Sequence, residues 1–316
     1  MNKYPPGNKI NIFFPTLVFC FLYISFATFL VSYYYSTPKP EQVVFAQDEK
    51  TLGLSTAVTE SKPLQPQIVS GIPIPDISAW SAYAIEAKSH YVLYEKNESE
   101  QVFPASTAKI VTALVSLDYY DLQSVVSVGK LNVEGQKMGL VGGEQITVEN
   151  LLSGLLVLSA NDAAEVLASN YPGGRDIFIA QMNVKAKELG MVSTIFTNPS
   201  GLDSSNQTTT AKDLIKASEV AMENDTFSKL VATKDITVSS IDGAYKHRLY
   251  NINRLLWEVD GVKGVKTGKT DGAQENLITY IERDGVGVYI AVLGSNDRFN
   301  DSKKLIDYIF AKYSFE

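Results

Sequence analysis

Residues 109–117 (Lys-Ile-Val-Thr-Ala-Leu-Val-Ser-Leu) carry one charge, at the first position, followed by Ile110, Val111, Ala113, Leu114, Val115 and Leu117. A helix with almost no charged face has to be buried, so the rest of a folded domain must surround this one. The segment Pro104-Ala105-Ser106-Thr107-Ala108-Lys109 leads into it. Ser106 and Lys109 are three residues apart and share a helix face. Ser106 in the first turn sits where free backbone N–H groups favour negative charge. A serine hydroxyl becomes a nucleophile beside a base, and an amine one turn away serves if it is neutral. That pairing suits acyl transfer. Ser-x-x-Lys alone is weak, since it is expected about once by chance in a chain of this size, and the plain alternative is a surface helix pair.

Two further tripeptides follow in order, Ser159-Ala160-Asn161 and Lys266-Thr267-Gly268. Ser204-Ser205-Asn206 also fits Ser-x-Asn, but it lies in a polar stretch. Ser159 instead follows the apolar helical run Leu151–Leu158 and precedes a second helix expected over Asp162–Ser169. Ser159 is therefore the better candidate. The order Ser-x-x-Lys, Ser-x-Asn, Lys-Thr-Gly is the signature of penicillin-binding proteins and serine β-lactamases.

The chain has 316 residues and a net charge of −7, with no basic stripe interleaved with aromatics, which argues against nucleic acid. Its single cysteine, Cys20, falls in an apolar run, so an intramolecular disulfide is excluded. The two histidines, His90 and His247, stand in polar hairpin-like contexts and are expected in a turn or on a strand surface. With no Cys/His cluster, neither a metal nor a cofactor is expected.

Ile12 to Tyr35 is uncharged and long enough to cross a bilayer, with Tyr33, Tyr34 and Tyr35 at the far interface. A cleaved signal peptide is the competing reading, but Val44-Phe45-Ala46, the small-residue site, lies well past the apolar run. The expected organisation is a cytoplasmic N-terminus over 1–11 and a transmembrane signal anchor over 12–35. A disordered linker over 36–72 and a catalytic domain over 73–316 follow. Lys3 and Lys9 on one side balance Lys39 and Lys50 on the other, so charge leaves the orientation open. As a flexible coil the linker spans roughly 35 Å.

Within the domain, Trp80–Ile85 and Tyr91–Tyr94 read as strands around the turn Ala87–His90. Thr147 caps a helix over Val148–Leu158, and Thr210 opens another through Met222. Arg175–Leu189 reads as a helix whose apolar side carries Ile177, Ile179, Met182, Val184 and Ala186. Lys266-Thr267-Gly268 heads a strand region, Leu277–Ile281 and Gly287–Leu293 pair as strands, and Asp301–Tyr313 is a last helix. Strands at both ends with helices between predict an antiparallel sheet built from the termini around a helical middle.

Residues from about Pro73 onward resemble the serine D-alanyl-D-alanine carboxypeptidases, the low-molecular-weight penicillin-binding proteins. Besides the motifs, the resemblance is carried by Asn198-Pro199-Ser200-Gly201-Leu202, Thr210-Ala211-Lys212-Asp213-Leu214, Asn251–Trp257 and Val259-Asp260-Gly261. It implies an α/β (α+β) fold of the β-lactamase/transpeptidase type, an antiparallel sheet flanked by helices with a helical subregion, and the site at the junction of sheet and helices. It also implies that the partner is the D-Ala-D-Ala end of a peptidoglycan stem peptide, that β-lactams inhibit, and that the domain faces outward from a bacterial cell membrane. By the same resemblance Ser106 is the nucleophile, Lys109 its base, Ser159 a proton relay to the leaving amine, and Asn161 the holder of the substrate amide. Lys266 and Thr267 receive the terminal carboxylate, Gly268 completes their motif, and the N–H groups of Ser106 and Lys269 form the oxyanion hole. Arg298 stands where the family places a carboxylate-binding arginine.

A lysine at its ordinary pKa near 10.4 is neutral only about one part in 2,500 at pH 7, a handicap of roughly 4.6 kcal/mol. Burial and a nearby ammonium, Lys266, are expected to reduce it. Glu275, in Gln274-Glu275-Asn276, departs from the family habit and either tunes substrate side-chain preference or faces solvent. Three alternatives differ in chemistry. A β-lactamase would need a deacylating glutamate in Glu-x-x-Leu-Asn, a pattern that Glu165-Val-Leu-Ala-Ser-Asn breaks. An endopeptidase would act on crosslinks, and a non-catalytic wall-binding protein would have no need for Ser106, Lys109, Asn161 and Lys266 together.

Overall fold

The computed structural model describes residues 65–315. The segments expected at 1–11 and 12–35, and most of the linker expected at 36–72, lie outside the described residues. Among the described residues no helix is long and apolar enough to cross a membrane.

The described residues open with a two-residue strand, β1 (Gln67–Ile68), then the hairpin β2 (Ser81–Glu86) and β3 (Val92–Lys96). Every residue of β2 is buried. Both faces are covered: Ala82 and Ala84 enter one apolar cluster, Tyr83 and Ile85 the other. A 3₁₀ turn (Ala105–Ala108) runs directly into α1 (Lys109–Tyr119), which is buried through Ser116 as its composition requires. A small hairpin, β4 (Val125–Ser127) with β5 (Gln145–Thr147), precedes the helical region of α2 (Val148–Leu156), α3 (Asn161–Ser169), α4 (Arg175–Glu188), α5 (Ala211–Glu223) and α6 (Asp225–Ala232). Thr147 and Thr210 cap α2 and α5 by accepting from the Asn150 and Asp213 amides, an arrangement worth about 1 kcal/mol each. The chain returns through the hairpin β6 (Asp235–Ser239) and β7 (Lys246–Tyr250) and the single turn α7 (Leu255–Glu258). It ends with β8 (Val262–Thr270), β9 (Gln274–Arg283), β10 (Val286–Ser295), α8 (Arg298–Lys312) and β11 (Tyr313–Ser314).

The main sheet has the order β3-β2-β10-β9-β8 with every neighbour antiparallel. On one face Val288, Ile290 and Val292 meet Leu305, Ile306 and Ile309 of α8. On the other, Tyr289, Ala291 and Leu293 join the cluster shared with α1 to α6. The result is a three-layer sandwich whose edge strand, β8, faces the helical region.

Four expectations change. Residues 67–70, assigned to the linker, belong to the folded part: β1 pairs with β11, and the Val69 amide donates to the Lys312 carbonyl at 2.9 Å. A two-residue strand is too short to show a period in sequence. Lys266-Thr267-Gly268 lies inside β8 rather than at its head. On α4 the buried stripe is Phe178, Met182 and Ala186, spaced four apart, whereas Ile177 and Val184 are exposed. His247 is not on the strand surface. Lys246 and Arg248 alternate outward on β7, which turns His247 and Leu249 inward. There His247 Nε2 lies 2.8 Å from the buried Glu144 carboxylate and Nδ1 lies 3.1 Å from the Met138 carbonyl.

Candidate active site

Ser106 is held by its backbone neighbours. Asn276, fully buried on β9, donates to the carbonyls of Phe103 (2.9 Å) and Pro104 (3.0 Å) and accepts from the Gly294 amide at 2.9 Å. Thr107 Oγ1 donates back to the Pro104 carbonyl at 2.6 Å. Ala105 adopts a left-handed backbone, φ +46°, which costs a non-glycine residue roughly 1–2 kcal/mol. Two glycines close around this turn. A Cβ on Gly201 (φ +86°) would fall 1.8 Å from the Ala105 carbonyl oxygen, and one on Gly268 would stand 3.0 Å from the Ser106 nitrogen. The strand of the third motif is thus pressed directly against the serine's own amide.

Lys109 is fully buried. Its Nζ lies 2.9 Å from Ser106 Oγ, 2.6 Å from Asn161 Oδ1 and 2.5 Å from the Ser200 carbonyl oxygen. Burial lowers its pKa to about 7, against the opposing charges of Glu165 and Asp162. Desolvation, rather than the neighbouring Lys266, is the principal cause.

Ser159 occupies a left-handed position, φ +64°, just before α3. It accepts from Lys266 Nζ at 2.8 Å, and Lys266 also donates to the Thr267 carbonyl at 3.0 Å. Lys266 is held well below the ordinary lysine range by burial first, then by the charges of Lys109 and Arg298. Asn161 opens α3 and ties down the loop that roofs this side. Its backbone amide donates to the Gln136 carbonyl at 2.7 Å, and its Nδ2 donates to the Glu134 carbonyl at 2.7 Å. The adjoining Asp162 carboxylate accepts from the amides of Met138 (3.0 Å), Gly139 (2.9 Å) and Leu140 (3.1 Å). His247 and Glu144 fasten the far end of the same loop.

A cleft of about 270 Å³ runs between β8 and this helical wall, lined by Ser106, Ser159, Asn161, Thr267, Gly268, Lys269 and Arg298 among others. Lys109 and Lys266 lie behind the lining, each touching the hydroxyl of its serine. All nine residues singled out from sequence therefore gather at one place. Two buried polar atoms here have no partner among the described residues, Thr267 Oγ1 and Arg298 Nε. Arg298 is steadied by donating through its terminal nitrogen to the Gly268 carbonyl at 2.7 Å, and burial lowers its pKa. Glu275 is not a free surface carboxylate. It pairs with Lys269 Nζ at 3.0 Å and accepts from the Arg298 amide at 3.3 Å. Glu165 is engaged in a two-point contact with Arg175, at 2.6 and 3.2 Å.

Sequence reasoning did not single out the Ser200 carbonyl, Gln136, Asp162 or Asn276 as parts of the site. Ser200 and Gly201 stand in the Asn198–Leu202 stretch that carries the resemblance, and its role becomes visible only against Ala105.

The peptidase S11 family model, D-alanyl-D-alanine carboxypeptidase, matches residues 68–297. A D-alanyl-D-alanine carboxypeptidase of Mycobacterium tuberculosis is 34% identical over 255 residues, covering 78% of this chain and 87% of that one. A D-alanyl-D-alanine endopeptidase of Pseudomonas aeruginosa is 31% identical over 268 residues, covering 81% and 85%. The crystal structure of the Streptomyces K15 DD-transpeptidase is similar with a TM-score of 0.73 at 31% identity, covering 76% of this chain and 100% of that one. By the extent of these matches, this chain belongs to the peptidase S11 family of serine-type D-alanyl-D-alanine carboxypeptidases.

Proposed function

We propose that the protein removes the terminal D-alanine from peptidoglycan stem pentapeptides through an acyl-enzyme on Ser106. One observation carries the reading: the three neighbours of Lys109 Nζ are a hydroxyl and two oxygens that can only accept. A neutral amine has two N–H groups and one lone pair. Asn161 Oδ1 and the Ser200 carbonyl take the two N–H groups, and the lone pair is left facing the Ser106 hydroxyl. Burial keeps a large share of Lys109 neutral near pH 7. Lys109 accepts the serine proton as Ser106 Oγ bonds to the carbonyl carbon between the two D-alanines, with the oxyanion at the amides of Ser106 and Lys269. The C–N bond then breaks as the proton held by Lys109 passes by way of Ser159 to the departing amine, and water hydrolyses the ester, one of its protons restoring the Ser106 hydroxyl.

The terminal carboxylate is assigned to Thr267 Oγ1 and the Arg298 guanidinium, whose unpartnered atoms lie at the cleft. That anion also favours the charged form of Lys266, so the positive field behind Ser159 strengthens when substrate arrives. Penicillins occupy the same path as acylating mimics. The 12–35 segment is assigned as a single-pass anchor holding the domain outside the cell membrane. Protease treatment of intact cells and of detergent-lysed cells checks this, because a domain protected until lysis contradicts it.

D-alanine release from a peptide ending in D-Ala-D-Ala tests the reaction. The full chain releases it and Ser106→Ala does not. Release only from crosslinked dimers reassigns the protein to endopeptidase action, and equal release by Ser106→Ala removes the nucleophile from the proposal.

A further inference from the structure

A second concavity, about 620 Å³, opens at the end of the sheet where β2 and β9 begin and β3, β8 and β10 finish. Trp80 stands in it 58% exposed, with the carboxamides of Asn97, Gln101, Gln274 and Asn296 around it. Among the described residues that line it one is charged, Lys96, and that ammonium is committed to the Ile77 carbonyl at 3.1 Å. An indole face ringed by neutral carboxamides has little to offer an ion. It suits a ligand with C–H faces and many uncharged donors and acceptors.

The direction of the substrate points to what arrives there. With the carboxylate at Thr267 and the scissile carbonyl at the Lys269 amide, the peptide runs antiparallel to β8, and its earlier residues pass Thr270 toward the β8–β9 turn. Three such residues at roughly 3.3 Å each reach about 10 Å, enough to cross that turn. The turn is fixed in place, because Asp203 accepts from Thr270 Oγ1 at 2.6 Å and from the Gly272 amide at 2.8 Å. Gly272 lies against the Phe103 ring, where a Cβ would stand 3.1 Å away. Gly272 and Phe103 form a sill, with Ser106 three residues beyond Phe103 on one side and the Trp80 groove on the other. In peptidoglycan the first stem residue is amide-linked to the lactyl group of an N-acetylated amino sugar. We infer that the Trp80 groove binds the glycan to which the stem is attached, an uncharged N-acetylated disaccharide unit. The enzyme thereby selects stems carried on sugar over free peptide.

This rests on the substrate direction in the proposed function, so two measurements are needed. The first is the ratio of kcat/KM for D-alanine release from a disaccharide-pentapeptide to that from the same pentapeptide without sugar, using the full chain. The ratio is expected near tenfold, falling toward one in Trp80→Ala and Gln274→Ala. A ratio of one in the unaltered enzyme, or one unchanged in Trp80→Ala, overturns the inference. The second does not depend on turnover. Trp80 and Trp257 are the two tryptophans of the chain, so Trp257→Phe leaves Trp80 as the sole indole reporter. A peptide-free tetrasaccharide of alternating N-acetylglucosamine and N-acetylmuramic acid, its lactyl carboxylates amidated, should change that fluorescence saturably. No change overturns the glycan site even if D-alanine is released. A saturable change without D-alanine release from either substrate sustains the glycan site and breaks the proposed reaction instead.

Discussion

The two walls of the cleft each bring one fully buried lysine to a serine hydroxyl, yet the lysines sit in opposite electrostatic company. Lys109, from the helical wall, has Glu165 and Asp162 nearby, both opposing the effect of burial. Lys266, from the strand wall, has Lys109 and Arg298 nearby, both reinforcing it. The walls are also built differently. Lys266, Thr267 and Gly268 occupy successive positions of a nine-residue strand laddered to β9. Ser106 and Lys109 open one helix and Ser159 and Asn161 lie at the start of another, and the two pairs are joined by the Lys109–Asn161 side-chain bond and by side-chain bonds to loop carbonyls. The difference teaches that the strand wall gathers positive charge with no carboxylate among the described residues to balance Lys266, while the helical wall holds a lysine tuned by its own carboxylates, which suits them to the receptor and base roles of the proposed reaction.

The largest effect is expected from Lys109→Ala. Loss of a general base costs about 10²–10⁴-fold in rate, and the acylation rate with a penicillin measures it by mass. Acylation at the unaltered rate would remove the base from the helical wall. In the unaltered enzyme Lys109 loses its proton as pH rises through about 7. The neutral, competent form is therefore depleted below that point, and kcat/KM should rise with pH along a limb centred near 7.

The next contrast uses one methyl group on each wall. Gly201→Ala drives a Cβ to 1.8 Å from the Ala105 carbonyl oxygen and adds a side chain at φ +86°, so the Ser106 turn must move. Acylation should fall by at least about 10²-fold, since small displacements of reacting groups carry penalties of that order. Gly268→Ala makes its tightest contacts at 2.9 Å with Ala105 Cβ and 3.0 Å with the Ser106 nitrogen, and its φ is ordinary. Its loss should be the smaller of the two. Equal losses would mean that the strand wall is as intolerant as the helical one.

Asp162→Asn probes the supports of the helical wall without touching the reacting atoms. Three loop amides converge on this carboxylate, and an amide group can accept at only one of its two ends. Leaving buried donors unsatisfied costs about 1–3 kcal/mol. Thermal unfolding should register that loss, and KM should rise more than kcat falls because the roof over Asn161 loosens.

The strand wall was the more legible in sequence, for a physical reason. Short apolar runs in β9 and β10, Leu277–Ile281 and Val288–Leu293, declare strands of a sheet covered on both faces, and Thr147 and Thr210 announce helix starts by their own side chains. Ser106 and Lys109 were legible because helical spacing alone puts them on one face. The helical wall's supports were not. The Ser200 carbonyl is a backbone acceptor without a side-chain signature, and Asn276 bonds to a turn more than 170 residues away. The left-handed backbone at Ala105 and Ser159 follows from what surrounds those residues rather than from their identity. His247 was misread because its charged neighbours made the strand look solvated on both faces.

The smallest expected effect separates the two lysines most sharply. Glu165 lies on α3, bound to Arg175, and is not among the residues lining the cleft. Its charge nevertheless favours protonated Lys109. Glu165→Gln removes that charge and leaves Arg175 uncompensated, and both changes disfavour the ammonium. The acid limb of kcat/KM should then move to lower pH, with a slight fall in the plateau because a weaker base remains. The Asp162 anchors of the roof loop are untouched, so KM at high pH should stay as it was. A limb that does not move, or moves upward, would mean that the group titrating near pH 7 is not Lys109. The base would then have to be sought on the strand wall, where a neighbouring carboxylate has no such reach.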